Sequence, residues 1–502
     1  MGDAHGLSTA SKQRTSLVGL LARLAAGAVC ALAGLAFILT AQLPGTTGEA
    51  QALGKGIIDY RLEQPSVDIT SVPAMVEEMG PGKLGARWTR VLVHWATLQP
   101  AAPPGVYNSA YLDQLDNVVE ALHGKDVRII LTPLDVPEWA SDSSLWNSPP
   151  PSYKKGVYKT FYAPDMGKVM VKEQFKALGT FLADRYAEDG KVKYFECWNE
   201  PNQGLYLYPQ TPASATNGGA RTYLKMLKWW YAGVKKGAPD AVVIAGATAP
   251  RGRGDRVSTP PQAFARYLKN NGALAYMDAY SHHPYTPGGS RRIAPGQLPN
   301  NPDRAVTLGN LSQLTKLFPK KPFYLTEFGY NTQYSRLFGV TVSKADQARY
   351  LRQAYFVTAS RYPQVKALLW FVVDDWNPSG TVDKAGKGVY MGVRTYLGDR
   401  KPGWYAFARG NSLTLKAPTS ARSRVAFKIT GKLTYRAPEP PQSKVLTLQA
   451  RKPKSSSWRK VASVQTKPDG TYSRTVKQST TKIYRIVWGG VVESATRKVR
   501  AR

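Results

Sequence analysis

Apolar and polar positions alternate in two rhythms along this chain. From about Gly56, short apolar runs recur at intervals, separated by stretches with helical spacing. The apolar runs begin near Ile57-Ile58 and continue as Trp88 to Val93, Val127 to Leu131, Val192 to Trp198, Ala241 to Ala245, Ala279 to His282, Pro322 to Thr326 and Ala367 to Val372. Such runs read as strands buried on both faces. Between them, Leu112, Leu115, Val118, Val119 and Leu122 share one helical face, as do Phe175, Leu178, Leu182 and Tyr186. Ser343 to Arg361 is a third helical stretch, with Lys and Arg along one side. Eight strand–helix repeats predict a closed (β/α)₈ barrel, an α/β TIM barrel, over residues 55–410. A doubly wound open sheet would carry a glycine-rich phosphate turn after its first strand, and none is visible.

After about Asn411 the helical rhythm stops. Alternating segments replace it at Val425 to Thr430, Val445 to Gln449, Trp458 to Val464, Thr471 to Val476 and Ile483 to Trp488, with turns such as Pro468-Asp469-Gly470 between them. Residues 411–502 therefore read as a small β-sandwich. At the other end, Lys12, Arg14 and Arg23 precede an uncharged apolar stretch from Leu24 to about Gln42. This is the pattern of an export signal or a signal anchor, just long enough to span a bilayer, so residues 1–54 are expected to be a basic stub, signal or anchor, and linker. The bulk of the chain is then expected outside the cytoplasm, either secreted or held at the membrane by one N-terminal segment.

Charge changes the picture mainly in the tail. The net charge is +34, and residues 411–502 hold 21 Lys and Arg against Glu439, Asp469 and Glu493, a surplus of 18. A field of that strength attracts anionic polymers at a cell surface and weakens with salt. No nucleic-acid motif is present, and a solvated basic surface without a specific partner is the plain alternative. Only Cys30 and Cys197 are present, which excludes a disulfide framework. Cys197 in a strand reads as a small buried hydrophobe.

Two apolar runs end in carboxylates. Tyr194-Phe195-Glu196-Cys197-Trp198-Asn199-Glu200-Pro201 closes the fourth, and Phe323-Tyr324-Leu325-Thr326-Glu327-Phe328-Gly329 the seventh. In a barrel, both strand ends reach one face, and two carboxylates facing one cavity are the minimal equipment for cutting a glycosidic bond. A Glu after a strand also serves as a cap for the next helix, which is the structural alternative. His282-His283 lacks a third ligand, so no metal and no cofactor are expected.

These residues resemble glycoside hydrolase clan A, the retaining (β/α)₈ glycosidases that include families 5 and 39, over roughly residues 56–409. The resemblance implies that Asn199-Glu200 is the strand-four pair with Glu200 as general acid/base, and that Glu327 is the nucleophile. Arg90, with Trp95 five residues later, matches the strand-two arginine, and Arg87 is its nearby rival. His283-Pro284-Tyr285 matches the strand-six His-x-Tyr, and Trp370 is the strand-eight candidate for a sugar platform. Arg90, Asn199, His283, Tyr285 and Trp370 are thus the implied substrate-side residues. The clan often has a His near the end of strand three, and this chain shows none there. Aromatic residues crowd the expected cleft loops: Trp139, Trp146, Tyr153, Tyr158, Tyr162, Tyr206 and Tyr208. The tail loosely resembles immunoglobulin-like modules of bacterial surface proteins. The resemblance implies a retaining β-glycosidase acting on a polysaccharide or oligosaccharide. A transglycosylase using the same pair, or a non-catalytic carbohydrate-binding surface protein, is the alternative.

Overall fold

The computed structural model describes residues 53–502 apart from 81–82, 104–105, 147–161, 212–217, 289–292, 337–339, 378–385, 410–411, 435–444, 456, 489–491 and 495. The expected signal or anchor stretch lies outside the described residues, as do Tyr153 and Tyr158. Among the described residues, no helix is long and apolar enough to cross a membrane.

Eight parallel strands close a barrel: β1 (Gly54–Ile58), β2 (Trp88–His94), β3 (Arg128–Leu134), β4 (Val192–Glu196), β5 (Val242–Thr248), β6 (Ala279–His282), β7 (Phe323–Phe328) and β8 (Val365–Phe371). Closure is made by β1 against β8, in register from Gly54↔Ala367 to Ile58↔Phe371. The longer helices are α1 (Val72–Met79), α2 (Ser109–Gly124), α3 (Val169–Ala187), α4 (Gly218–Gly237), α5 (Pro261–Asn270), α6 (Lys344–Arg361) and α7 (Pro402–Arg409), and single turns lie at Trp95–Leu98 and Ser312–Thr315. The sequence explains their starts and faces. Asn108 caps α2 by accepting from Tyr111 N–H, and α2 buries Tyr111, Leu115, Val118, Val119 and Leu122 at helical spacing. Ser343 caps α6 in the same way, accepting from Asp346 N–H at 3.0 Å.

Strand parity sorts the core into two layers. Ile57, Val91, Leu131, Phe195, Leu325 and Leu368 face the helices, among Leu115, Phe175, Leu227 and Leu351. Ile58, Trp88, Ile130, Ile244, Tyr324 and Leu369 fill the barrel interior. Gly54 and Gly56 leave room for that interior. A Cβ on Gly56 would meet Leu369 Cγ at 2.6 Å, and one on Gly54 would meet the Trp88 indole nitrogen at 2.3 Å.

The tail folds into two sheets, as expected of a β-sandwich. One has the order β10-β17-β15-β12-β13, with β16 beside β15; the other has the order β14-β11-β9. The members are β9 (Ser412–Leu413), β10 (Ser420–Ala421), β11 (Phe427–Thr434), β12 (Val445–Arg451), β13 (Arg459–Gln465), β14 (Thr471–Val476), β15 (Lys482–Trp488), β16 (Val492–Glu493) and β17 (Arg497–Ala501). Ile429, Leu446, Leu448, Tyr484 and Ile486 are buried. Trp488 stacks on Phe356 of α6 with ring centroids 3.8 Å apart, which docks the sandwich on the barrel.

Candidate active site

The site forms where the barrel strands end. The fourth apolar run was expected to continue as strand to Trp198, but β4 stops at Glu196. Beyond it, Trp198 and Glu200 adopt positive φ, 70° and 39°. Non-glycine residues are held there only when their surroundings over-determine them. Here Glu200 N–H donates to Ala247 O, Trp198 Nε1 to Tyr206 O, and Tyr223 Oη to Cys197 O, at 2.8–3.0 Å. The turn carries Asn199 and Glu200 into the cleft, while Cys197 is left buried in the helix-facing layer. Burial pushes the Cys197 thiol up, away from thiolate chemistry.

Glu200 and Glu327 converge. One ligand atom each from Glu200, Glu327 and His283 lie within 4.8 Å of one another. Glu327 accepts from Arg90 Nη1 at 2.7 Å and from Tyr285 Oη at 2.9 Å. Arg90 Nη2 donates to Asn199 Oδ1 at 2.9 Å. Glu200 Oε1 meets His283 Nδ1 at 2.9 Å. Six sequence-designated residues, Arg90, Asn199, Glu200, His283, Tyr285 and Glu327, are thus brought into one hydrogen-bonded group.

The proton positions follow from a residue the sequence reading passed over. Glu196, fully buried on β4, lies 2.7 Å from Arg90 Nε and accepts from Thr132 and Thr326 hydroxyls at 2.9 and 3.0 Å. Thr326 spends its only hydroxyl proton on Glu196, so it accepts from His283 Nε2 at 3.1 Å. Burial, Arg90 and His282 hold the His283 imidazole well below its usual range, so it is neutral. With the proton on Nε2, Nδ1 is an acceptor, and its 2.9 Å partner Glu200 must be the donor. Burial and the neighbouring Glu327 push the Glu200 carboxyl well up, in agreement with that assignment. Burial also raises Glu327, but Arg90 and the Tyr285 hydroxyl pull it back. Of the pair, Glu200 keeps the proton and Glu327 carries the charge. The signal for Glu196 was legible: of the two charges in β4, Lys193 is on the exposed parity, whereas Glu196 shares the parity of Tyr194, which faces the barrel interior.

Trp370 is a correction. It is fully buried in the helix-facing layer, its indole N–H donates to Met391 O at 2.9 Å, and its ring packs edge-on against Phe328. Period-two alternation turns its neighbour Phe371 toward the interior instead, where it is partly exposed and packs against Tyr285. Trp95 is likewise buried, with its indole donating to Gln99. Arg87 is exposed and pairs with Asp126. Of the loop aromatics, Tyr162 and Tyr208 are buried against each other, and Trp139 and Trp146 are half-buried with their indole N–H groups bonded to Gln99 O and Ser141 Oγ. Tyr206 lines a cavity of about 340 Å³ with Glu200, Arg251 and Tyr285. The missing strand-three His has a neighbour in its place: His94, ending β2, meets Asp135, just past β3, at 2.6 Å. His282 is structural, bonded to Thr248 and Val306 O. So are Asp374 and Asp375, which pair with Arg394 and buried Lys401. Glu200, His283 and Glu327 could offer ligands to a cation, but the Arg90 guanidinium already on Glu327 opposes one.

A half-buried acid and a buried carboxylate at this spacing, on the C-terminal face of a closed (β/α)₈ barrel, are the arrangement of a clan A glycoside hydrolase. The family described as Cellulase (glycosyl hydrolase family 5) matches residues 82–370, and the chain belongs to it. It is therefore a glycosidase. Among solved structures, the chain is similar to a GH5_18 from Bifidobacterium longum subsp. infantis, at 15% identity and TM-score 0.52, covering 72% of this chain and 78% of that one. It is equally similar to the GH5_18 from Streptomyces cattleya in complex with GlcNAc, at 15% identity and TM-score 0.51, over 72% and 79%. Against the exo-beta-1,4-mannosidase Op5Man5 from Opitutaceae bacterium strain TAV5, identity is 16% and TM-score 0.46, with 71% of this chain covered and 58% of that one. The two GH5_18 likenesses speak to the fold. No curated protein sequence matches the chain.

Proposed function

We propose that the chain is a retaining glycosidase that cuts β-glycosidic bonds of a polysaccharide or oligosaccharide by double displacement. The observation that carries this reading is the short gap, within 4.8 Å, between a carboxyl that keeps its proton and one that carries charge. Inverting enzymes need roughly 6.5–9.5 Å to admit a water, whereas retaining ones use about 5–5.5 Å. Glu327 attacks the anomeric carbon, with Arg90 and Tyr285 aiming its oxygens. The C–O bond to the leaving sugar breaks as Glu200 delivers its proton to that oxygen. Glu200, now ionised, takes a proton from water, and the resulting hydroxide displaces Glu327 and restores the first configuration. His283 holds Glu200 through Nδ1. Asn199 stands beside the pair to bond the sugar 2-hydroxyl, and Phe371 offers the apolar face first sought at Trp370. The apolar N-terminal stretch supports a place outside the cytoplasm, and the basic sandwich supports attraction to anionic surface polymers.

The test is hydrolysis of a panel of aryl β-glycosides. Glu327→Gln should abolish turnover while the fold persists. Glu200→Gln should lose about 10²–10⁴-fold on poor leaving groups and much less on activated ones. The pH profile should fall on the acid side as Glu327 protonates and on the basic side as Glu200 loses its proton. Turnover by Glu327→Gln at the native rate would remove the reading.

A further inference from the structure

The cleft does not end at Glu200. The cavity of about 340 Å³ beside it includes Gln203, Arg251, Pro287 and Gly288. Those same four residues also line a second cavity of about 350 Å³, which adds Arg253 and Arg304. Each volume falls within the range of small-ligand pockets. The two are neighbours, and together they lead from the acid carboxyl to a group of three arginines.

The backbone under these arginines is firmly tied. Gln203 Nε2 donates to Arg251 O at 2.6 Å, Gly252 N–H to Arg304 O at 3.1 Å, and Arg253 N–H to Ser258 Oγ at 3.0 Å. Asp255, the carboxylate of this loop, is occupied in accepting the Val257 and Ser258 N–H groups. The guanidinium groups are not tied in that way. Arg251, Arg253 and Arg304 are exposed, and among the described residues none forms an ion pair. Elsewhere on the barrel, Arg61, Arg185, Arg349 and Arg394 each pair with an aspartate. Three like charges around one hollow repel one another. Such forks hold carboxylates and phosphates in bidentate fashion, and of the two a carboxylate is the anion that a sugar ring itself can carry, at C6.

A retaining enzyme's acid protonates the departing sugar, so the Glu200 side of the cleft is the leaving-group side. We infer that this side binds a uronic acid or a run of them, with carboxylates held by Arg251, Arg253 and Arg304. The inference rests on Glu200 acting as the acid.

Binding to the full-length chain in the Glu327→Gln background tests it, read by calorimetry at about 0.15 M salt. The probes are cellohexaose, the same hexamer oxidised at C6 to β-1,4-linked glucuronic acid, and cellohexaose carrying 6-sulfates. The glucuronic hexamer should bind at least about tenfold tighter than cellohexaose. The triple variant Arg251→Gln, Arg253→Gln, Arg304→Gln should erase that margin. Lys452→Gln, Lys454→Gln and Lys460→Gln together, in the basic sandwich, should leave it intact. Equal affinities, or a margin that survives the arginine changes or disappears with the lysine changes, would overturn the inference. Tighter binding of the sulfated hexamer would overturn the choice of carboxylate. Aryl glycoside turnover, lost in Glu327→Gln whatever the arginines hold, reports separately on the catalytic reading.

Discussion

Glu196 does its work beneath the site rather than in it. Its charge offsets the desolvation of Arg90, which in turn holds Glu327, while its contact with Thr326 sets the His283 tautomer. It also raises Glu327 through space. In Glu196→Gln that repulsion is gone, so the acid limb of the kcat/KM profile should move to lower pH. Loss of a buried partner to Arg90 should cost about 3 kcal/mol in chemical denaturation. Glu63, buried after β1, offers a second titration. Burial, and more weakly Glu327, lift its carboxyl from 4.5 to about 8, against the pull of Arg90. Because the folded value lies above the unfolded one, its stabilising contribution is full below about pH 4.5 and is lost as pH rises through about 8. Glu63→Gln should therefore gain melting temperature over the native chain steadily across that window. A difference independent of pH would refute the assignment.

At the scale of elements, strand parity explains both what was legible and what was not. The eight apolar runs became β1 to β8, the predicted face of α3 is buried, and that of α2 is buried apart from half-buried Leu112. Periodicity reports which positions share a side, because neighbouring Cβ atoms alternate. It does not say which side is the cleft. Trp370 and Phe371 were equally available, and only the closure of β8 on β1 decided between them. That seam is tight. In Gly56→Val the new side chain must displace Leu369 and Trp88, and a loss of about 1–3 kcal/mol is expected, read as a lower denaturant midpoint at unchanged slope.

For the whole molecule, the barrel and the sandwich meet in the stack of Phe356 on Trp488. Trp488→Ala should remove about 3–5 kcal/mol of packing from that junction. Calorimetry should then show the sandwich melting earlier, apart from the barrel, while aryl glycoside turnover is unchanged. A single undivided transition at the native temperature would show that the stack does not couple them. The basic surplus of the sandwich acts at long range and should be felt as salt-sensitive attraction to anionic polymers, distinct from the arginine hollow beside Glu200.

What the amino-acid order determined alone was whatever depends on neighbours along the chain: the strand and helix rhythm, the change of texture near residue 411, and carboxylates at the ends of strands four and seven. What only the tertiary structure decided was which of these side chains share a face and a proton. Arg90 and Glu327 lie 237 positions apart, and Glu196 and Thr326 are separated by 130. Their contact depends on barrel closure, a long-range event that local periodicity does not encode.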